Sequence, residues 1–131
     1  MNIKALVADD SSFTRQILTC LLNSIGVQDV VQARDGDEAL RLFGGQAFDL
    51  VLTDWNMPGK TGLEVIQAIR ATGSSVPIVM VTAERDGGNE LTAIQAGASH
   101  YLTKPLRADL LRAKLVSHLS AATIIPPCSF L

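Results

Sequence analysis

The chain is poor in the features that mark several protein classes. It has only two cysteines, Cys20 and Cys128, and they are too far apart to form a metal-ligating pair. They read as reduced thiols in a cytoplasmic protein, with Cys20 a small buried hydrophobe on a helix. No apolar run approaches the roughly 20 residues of a membrane helix. Asp9 and Asp10 come too early for the start of the chain to serve as a signal peptide. Charged residues make up only 18%, with eleven Lys+Arg against thirteen Asp+Glu. That balance of −2 argues against binding nucleic acid through bulk charge.

What is present is apolar surface. At 47% hydrophobic, the 131 residues exclude a disordered tail and suffice for one domain with its own core. The charge is unevenly spread. Residues 1–66 hold nine acids and five bases, and residues 67–131 hold four acids and six bases.

Short apolar runs alternate with segments of helical period. Runs at 3–8, 27–33, 48–53, 77–81 and 98–103 read as strands. Between the first two, Ser11 or Ser12 caps a helix whose apolar residues are Phe13, Ile17, Leu18, Leu21, Leu22 and Ile25, and Gly26 stops it. Ala39, Leu40 and Phe43 mark a second helix. Leu63, Ile66 and Ile69 mark a third, Leu91 and Ile94 a fourth, and Leu110, Leu111, Leu115 and Leu119 a fifth. Continuous apolar strands separated by amphipathic helices predict a doubly wound α/β domain, a parallel sheet covered on both faces. The domain spans residues 1–120. Residues 121–131 belong to an uncharged segment with adjacent Pro126 and Pro127, which cannot continue a helix and reads as a tail or linker stub.

In a parallel sheet the carboxyl ends of all strands share one edge, where ligands bind. Asp9 and Asp10 follow the first strand and Asp54 the third. Thr82 follows the fourth and Lys104 the fifth. Residues distant in sequence therefore converge on one pocket of three carboxylates, a hydroxyl and an ammonium. Close carboxylates repel unless a cation intervenes, and oxygen ligands of this kind suit Mg²⁺. Metal, lysine and hydroxyl together neutralise a phosphoryl group, and Asp54 is placed to act as a nucleophile that forms an acyl phosphate.

Asp9-Asp10, Asp54, Thr82 and Lys104-Pro105 resemble the signature of response-regulator receiver domains. The stretches 54–58, 81–84 and 95–99 are most similar to the chemotaxis members of that family. The resemblance covers about residues 1–119. It implies a flavodoxin-like sheet of strand order 2-1-3-4-5 with five helices. Asp54 would be the phosphoacceptor, fed by a sensor histidine kinase or phosphotransfer protein within a two-component phosphorelay. Mg²⁺ would bind Asp10, Asp54 and the backbone carbonyl of Asn56, with Asp9 acting partly through water. Lys104 would pair with the phosphoryl group, Thr82 would report it, and Tyr101 would be the switch aromatic. Lys104-Pro105 would be a cis peptide. Asn56 and Glu84 would tune self-dephosphorylation and make the phosphoryl state short-lived.

The resemblance also implies an output face formed by the fourth helix, fifth strand and fifth helix, switched to bind an output protein or fused output domain. The domain would thus be a signalling module that catalyses only its own phosphorylation and dephosphorylation, with no nucleic acid or membrane partner. The output face departs from the chemotaxis members. Gly87 replaces a basic contact residue, Glu90 and Thr103 replace apolar ones, and Lys114 is kept, so the output partner stays open.

Two other functions compete. An aspartate-nucleophile phosphatase needs a D-x-D pair after its first strand, and here Asp9-Asp10 are adjacent while the Asp54 motif reads D-x-N. A flavodoxin-like nucleotide-binding domain needs a phosphate-cradling loop after its first strand, where Asp9-Asp10 would repel phosphate. His100, His118, Arg107, Arg112 and Lys114 read as solvated surface. Trp55 reads as a loop-packing residue whose fluorescence should respond to Mg²⁺.

Overall fold

A computed structural model describes residues 3–83 and 87–115. In chain order the elements are β1 Lys4–Ala8, α1 Ser12–Ser24, β2 Asp29–Ala33, α2 Gly36–Gly45 and β3 Leu50–Thr53. They continue with α3 Gly62–Ala71, β4 Ile78–Thr82, α4 Gly87–Ala96, β5 His100–Thr103 and α5 Ala108–Leu115. Every strand pairing is parallel and the order is β2-β1-β3-β4-β5, as the resemblance implied. The expected positions of Glu84, Leu119, His118 and the 121–131 tail lie outside the described residues.

The central strands are buried on both faces, which explains why they read as unbroken apolar runs. Alternate residues feed two cores. Ala5, Val7, Leu50, Leu52, Val79 and Val81 join Leu18 and Leu22 of α1 and Leu111 and Leu115 of α5. Leu6, Ala8, Val51, Ile78 and Met80 join residues of α2, α3 and α4 on the opposite face. Thus α1 and α5 cover one side of the sheet, and the other three helices cover the other.

Local signals set the boundaries. The Ser11 hydroxyl accepts from the Thr14 N–H and caps α1, and Asp35 caps α2 through the Glu38 N–H. Thr61 and Glu64 form a reciprocal capping box, so α3 starts at Gly62, one residue before Leu63, the first of its apolar marks. β2 is shorter than the run 27–33 suggested, because Val27 closes the turn that ends α1: its N–H donates to the Leu22 carbonyl at 2.9 Å. β5 likewise begins at His100, not at 98, where the Ala98 N–H still bonds the Ala93 carbonyl of α4.

Two expectations about α1 need correction. Phe13 is 74% exposed and Ile17 41%, although both fit the helical period. Cys20 is exposed, not buried. The apolar stripe of α1 is wider than the face the sheet covers, so Leu18, Leu22 and Ile25 are buried and Leu21 packs at the margin of the core, while Phe13 and Ile17 stay outside it.

Candidate functional site

The carboxyl edge of the sheet gathers the residues expected there. Asp9 follows β1, Asp54 follows β3, Thr82 ends β4 and Lys104 follows β5. The Asp54 N–H bonds the Ala8 carbonyl at 2.9 Å, and the Lys104 N–H bonds the Thr82 carbonyl at 2.9 Å, so the ladder continues one residue past each strand and fixes both side chains.

Three carboxylates meet. Asp9, Asp10 and Asp54 each present an oxygen within 4.8 Å of the others. Asp9 is 1% exposed and Asp54 9%, while Asp10 faces solvent. Lys104 Nζ bridges the two buried acids, donating to Asp9 Oδ2 at 2.9 Å and to Asp54 Oδ2 at 3.3 Å. The remaining oxygens take backbone donors, Ser11 N–H to Asp9 Oδ1 at 2.9 Å and Trp55 N–H to Asp54 Oδ1 at 2.7 Å. Asp9 is therefore held in an Asx turn that feeds α1.

Burial pushes the Asp54 carboxyl above its ordinary pKa, and the neighbouring Asp9 charge adds to the rise. Lys104 and the Trp55 N–H oppose it without cancelling it. For Lys104, burial works to lower the pKa. The hydrogen bond to Asp9 and the charges of Asp54 and Asp9 outweigh that, so its ammonium holds its proton more tightly than usual.

The oxygen donors suit a hard divalent cation. Mg²⁺ is held by one or two carboxylates and keeps several waters, and Asp10 at the solvent side of two buried acids leaves room for them. Asn56 is exposed in the loop directly after Asp54.

That loop is anchored at both ends. Trp55 is half-buried against the core beneath α3 and Met57 is buried in it, while the Gly62 N–H bonds the Trp55 carbonyl at 2.7 Å. A Cβ on Gly62 would collide with the Asp54 carbonyl oxygen. Gly62 is a positioning residue that periodicity did not single out, although the Thr61-x-x-Glu64 pattern beside it marks the turn. Arg15 is a second: its guanidinium donates to the Asp9 carbonyl at 2.7 Å and to Gln32 Oε1 at 3.1 Å, tying α1 and β2 to the acidic corner.

Thr82 and Tyr101 share the sheet face covered by α4. Thr82 is in phase with Ile78 and Met80, and Tyr101 pairs with Met80 and packs on the same core. Thr82 is 1% exposed and Tyr101 half-buried. Lys104-Pro105 is cis. Leu91 and Ile94 of α4 are exposed on this side of the sheet, and Leu110 of α5 is exposed on the other. His100, the first residue of β5, pairs with Val79 and is half-buried.

This strand order, with a lysine-bridged acidic cluster at the carboxyl edge, defines a receiver domain of the response-regulator class, the signal-receiving module of two-component systems. The family model for the response regulator receiver domain matches residues 5–116, and the chain belongs to that family. Chemotaxis protein CheY of Pseudomonas aeruginosa is 39% identical over 115 residues, covering 86% of this chain and 93% of that protein. CheY-3 of Vibrio cholerae is 40% identical over 116 residues, 87% of this chain and 89% of that one. Among solved structures, chemotaxis protein CheY4 of Vibrio cholerae superposes with a TM-score of 0.83 at 33% identity, covering 91% of this chain and all of that one. The Francisella response regulator 1452 receiver domain gives 0.82 at 30% identity, with 89% and 96% covered. Among the described residues, no helix is long and apolar enough to cross a membrane.

Proposed function

We propose that Asp54 accepts a phosphoryl group from a phosphohistidine on a sensor kinase or phosphotransfer protein in the cytoplasm. The Lys104 bridge between Asp9 and Asp54 carries this reading. It puts a fixed positive charge against Asp54, the more accessible of the two buried carboxylates, with Asp10 within 4.8 Å. An Asp54 oxygen attacks phosphorus, the P–N bond to the donor imidazole breaks, and a P–O bond to Asp54 forms.

Asp10, Asp54 and the Asn56 carbonyl would hold Mg²⁺, with Asp9 supporting the site through water. Bound Mg²⁺ supplies positive charge to the carboxylates and to the transferring phosphoryl oxygens. Lys104 follows the phosphoryl oxygens as they arrive, releasing part of its hold on Asp54. The Thr82 hydroxyl, at the end of the adjacent strand, donates to a phosphoryl oxygen.

Movement of Thr82 is relayed to Tyr101 and then to α4, β5 and α5. Leu91, Ile94 and Leu110 supply apolar contact area on that face for an output protein or fused domain. Asn56 and Glu84 set hydrolysis of the acyl phosphate by water, so the phosphoryl state is short-lived. The domain thus acts on itself and signals by its surface. Residues 1–120 form this unit and 121–131 lie beyond it.

The test is incubation with acetyl phosphate and Mg²⁺, followed by intact mass. One base-labile phosphoryl group is expected, absent in Asp54→Asn and decaying within minutes once donor is removed. Incorporation that survives Asp54→Asn, or a half-life of hours, would overturn the reading.

A further inference from the structure

We propose that the outer face of α1 is a self-complementary seam on which a second copy of this chain docks, the two helices antiparallel about a two-fold axis. Phe13, Ile17, Cys20 and Ser24 follow one another at intervals of four, three and four residues. That is the spacing of a coiled-coil seam, and all four are exposed. They line a groove of about 280 Å³, with Gln16 and Leu21 beside them. The stripe is turned away from the sheet that buries Leu18 and Leu22.

The charge pattern selects the partner. Of the 13 residues of α1, Arg15 alone is charged. Its guanidinium is committed away from the groove, donating to the Asp9 carbonyl at 2.7 Å and to Gln32 Oε1 at 3.1 Å. The outer face of the helix therefore offers no charge for an ionic partner to pair with. A second copy of the same face brings no charge to be desolvated or repelled.

Side-chain size sets the register. An antiparallel pair centred between Leu18 and Thr19 puts Phe13 opposite Ser24 of the second copy and Ile17 opposite its Cys20. Both layers then place a large side chain against a small one, and the two-fold axis repeats each layer. Ser24 can be covered, because its hydroxyl already donates to the Leu21 carbonyl at 2.6 Å. A parallel pair would stack Phe13 on Phe13 at one end and Ser24 on Ser24 at the other, overfilling one layer and leaving the other empty. The seam from Phe13 to Ser24 is roughly 16 Å long. A contact of that length stays below the about 1,200 Å² of a standard interface, so the dimer is weak and forms at high protein concentration.

The dimer does not depend on phosphoryl chemistry at Asp54, so sedimentation velocity of the unphosphorylated full chain under reducing conditions tests it. Between about 10 µM and about 1 mM the sedimentation coefficient should rise from that of a monomer toward that of a dimer. Ile17→Asp and Cys20→Lys, both at exposed positions, should keep the circular dichroism of the parent, and each alone should stay monomeric over that range. An equimolar mixture of the two variants should associate again. The antiparallel register sets the new carboxylate of one copy against the new ammonium of the other and leaves the second Ile17–Cys20 layer intact. A monomer at every concentration overturns the proposal and leaves the groove to another protein or to a segment of the same chain. Association that persists in Ile17→Asp overturns it by placing the contact on another face. A mixture that stays monomeric overturns the antiparallel register.

Discussion

Lys104 Nζ donates to Asp9 Oδ2 at 2.9 Å across 95 residues of sequence, and the same ammonium reaches Asp54 Oδ2 at 3.3 Å. One lysine near the end of the domain therefore faces two buried acids, one from its start and one from its middle. Its side chain is 26% exposed, so solvent screens the pair only partly.

Removing that ammonium leaves two buried carboxylates facing each other. Lys104→Ala should destabilise the Mg²⁺-free protein by about 1–3 kcal/mol, less than a fully buried pair because of the partial exposure. Because folding raises the lysine pKa, its contribution is fully present at neutral pH. It is lost as pH rises above the ordinary lysine value and through the raised one. Urea denaturation of both proteins from pH 7 to 11 checks this: the difference between them should shrink at the alkaline end.

Asp54 has the opposite consequence. Burial raises its pKa on folding, so the folded protein binds this proton more tightly than the unfolded chain. Stability attributable to Asp54 therefore falls as pH rises through the carboxylate range, and its ionised form is a cost at pH 7. Asp54→Asn should raise the Tm of the Mg²⁺-free protein by a few degrees, the shift that about 1 kcal/mol produces in a domain of this size. Calorimetry with and without Mg²⁺ checks it. Wild type should gain more from the ion than the variant does, because the variant offers fewer charged ligands.

Trp55 donates its N–H to Asp54 Oδ1 and packs against the core under α3. A cation drawn to Asp54 alters the field at this indole. Saturating Mg²⁺ should change its emission, and Asp10→Asn should shift the titration to higher Mg²⁺. An emission spectrum unchanged at saturating metal counts against a cation at Asp54.

Glycines separate site geometry from stability. Gly62→Ala would drive a methyl into the Asp54 carbonyl, displacing the acceptor loop and cutting phosphoryl incorporation from acetyl phosphate at least tenfold. Gly44, within α2, has open space where a Cβ would lie. Gly44→Ala should stabilise by up to about 1 kcal/mol through helix propensity and leave incorporation unchanged. Mass spectrometry and thermal melts of the two variants make the comparison.

Much of this domain follows from local pattern. Apolar runs such as Leu50–Thr53 and the caps at Ser11 and Asp35 are properties of neighbouring residues, so the alternation of strand and helix is legible from the chain alone. The position of Asp9, Asp54, Thr82 and Lys104 at strand ends is legible for the same reason, since a parallel sheet has one carboxyl edge. Packing decided the rest. Phe13 and Ile17 share a period with Leu18 and Leu22, yet only the latter two are covered, because burial depends on what lies opposite a helix. The Lys104 bridge to Asp9 and Asp54 and the Arg15 bond to Gln32 join residues far apart in the chain, so they exist only once the strands are in register, and the clash that excludes a side chain at Gly62 exists only once the loop after Asp54 folds back on itself.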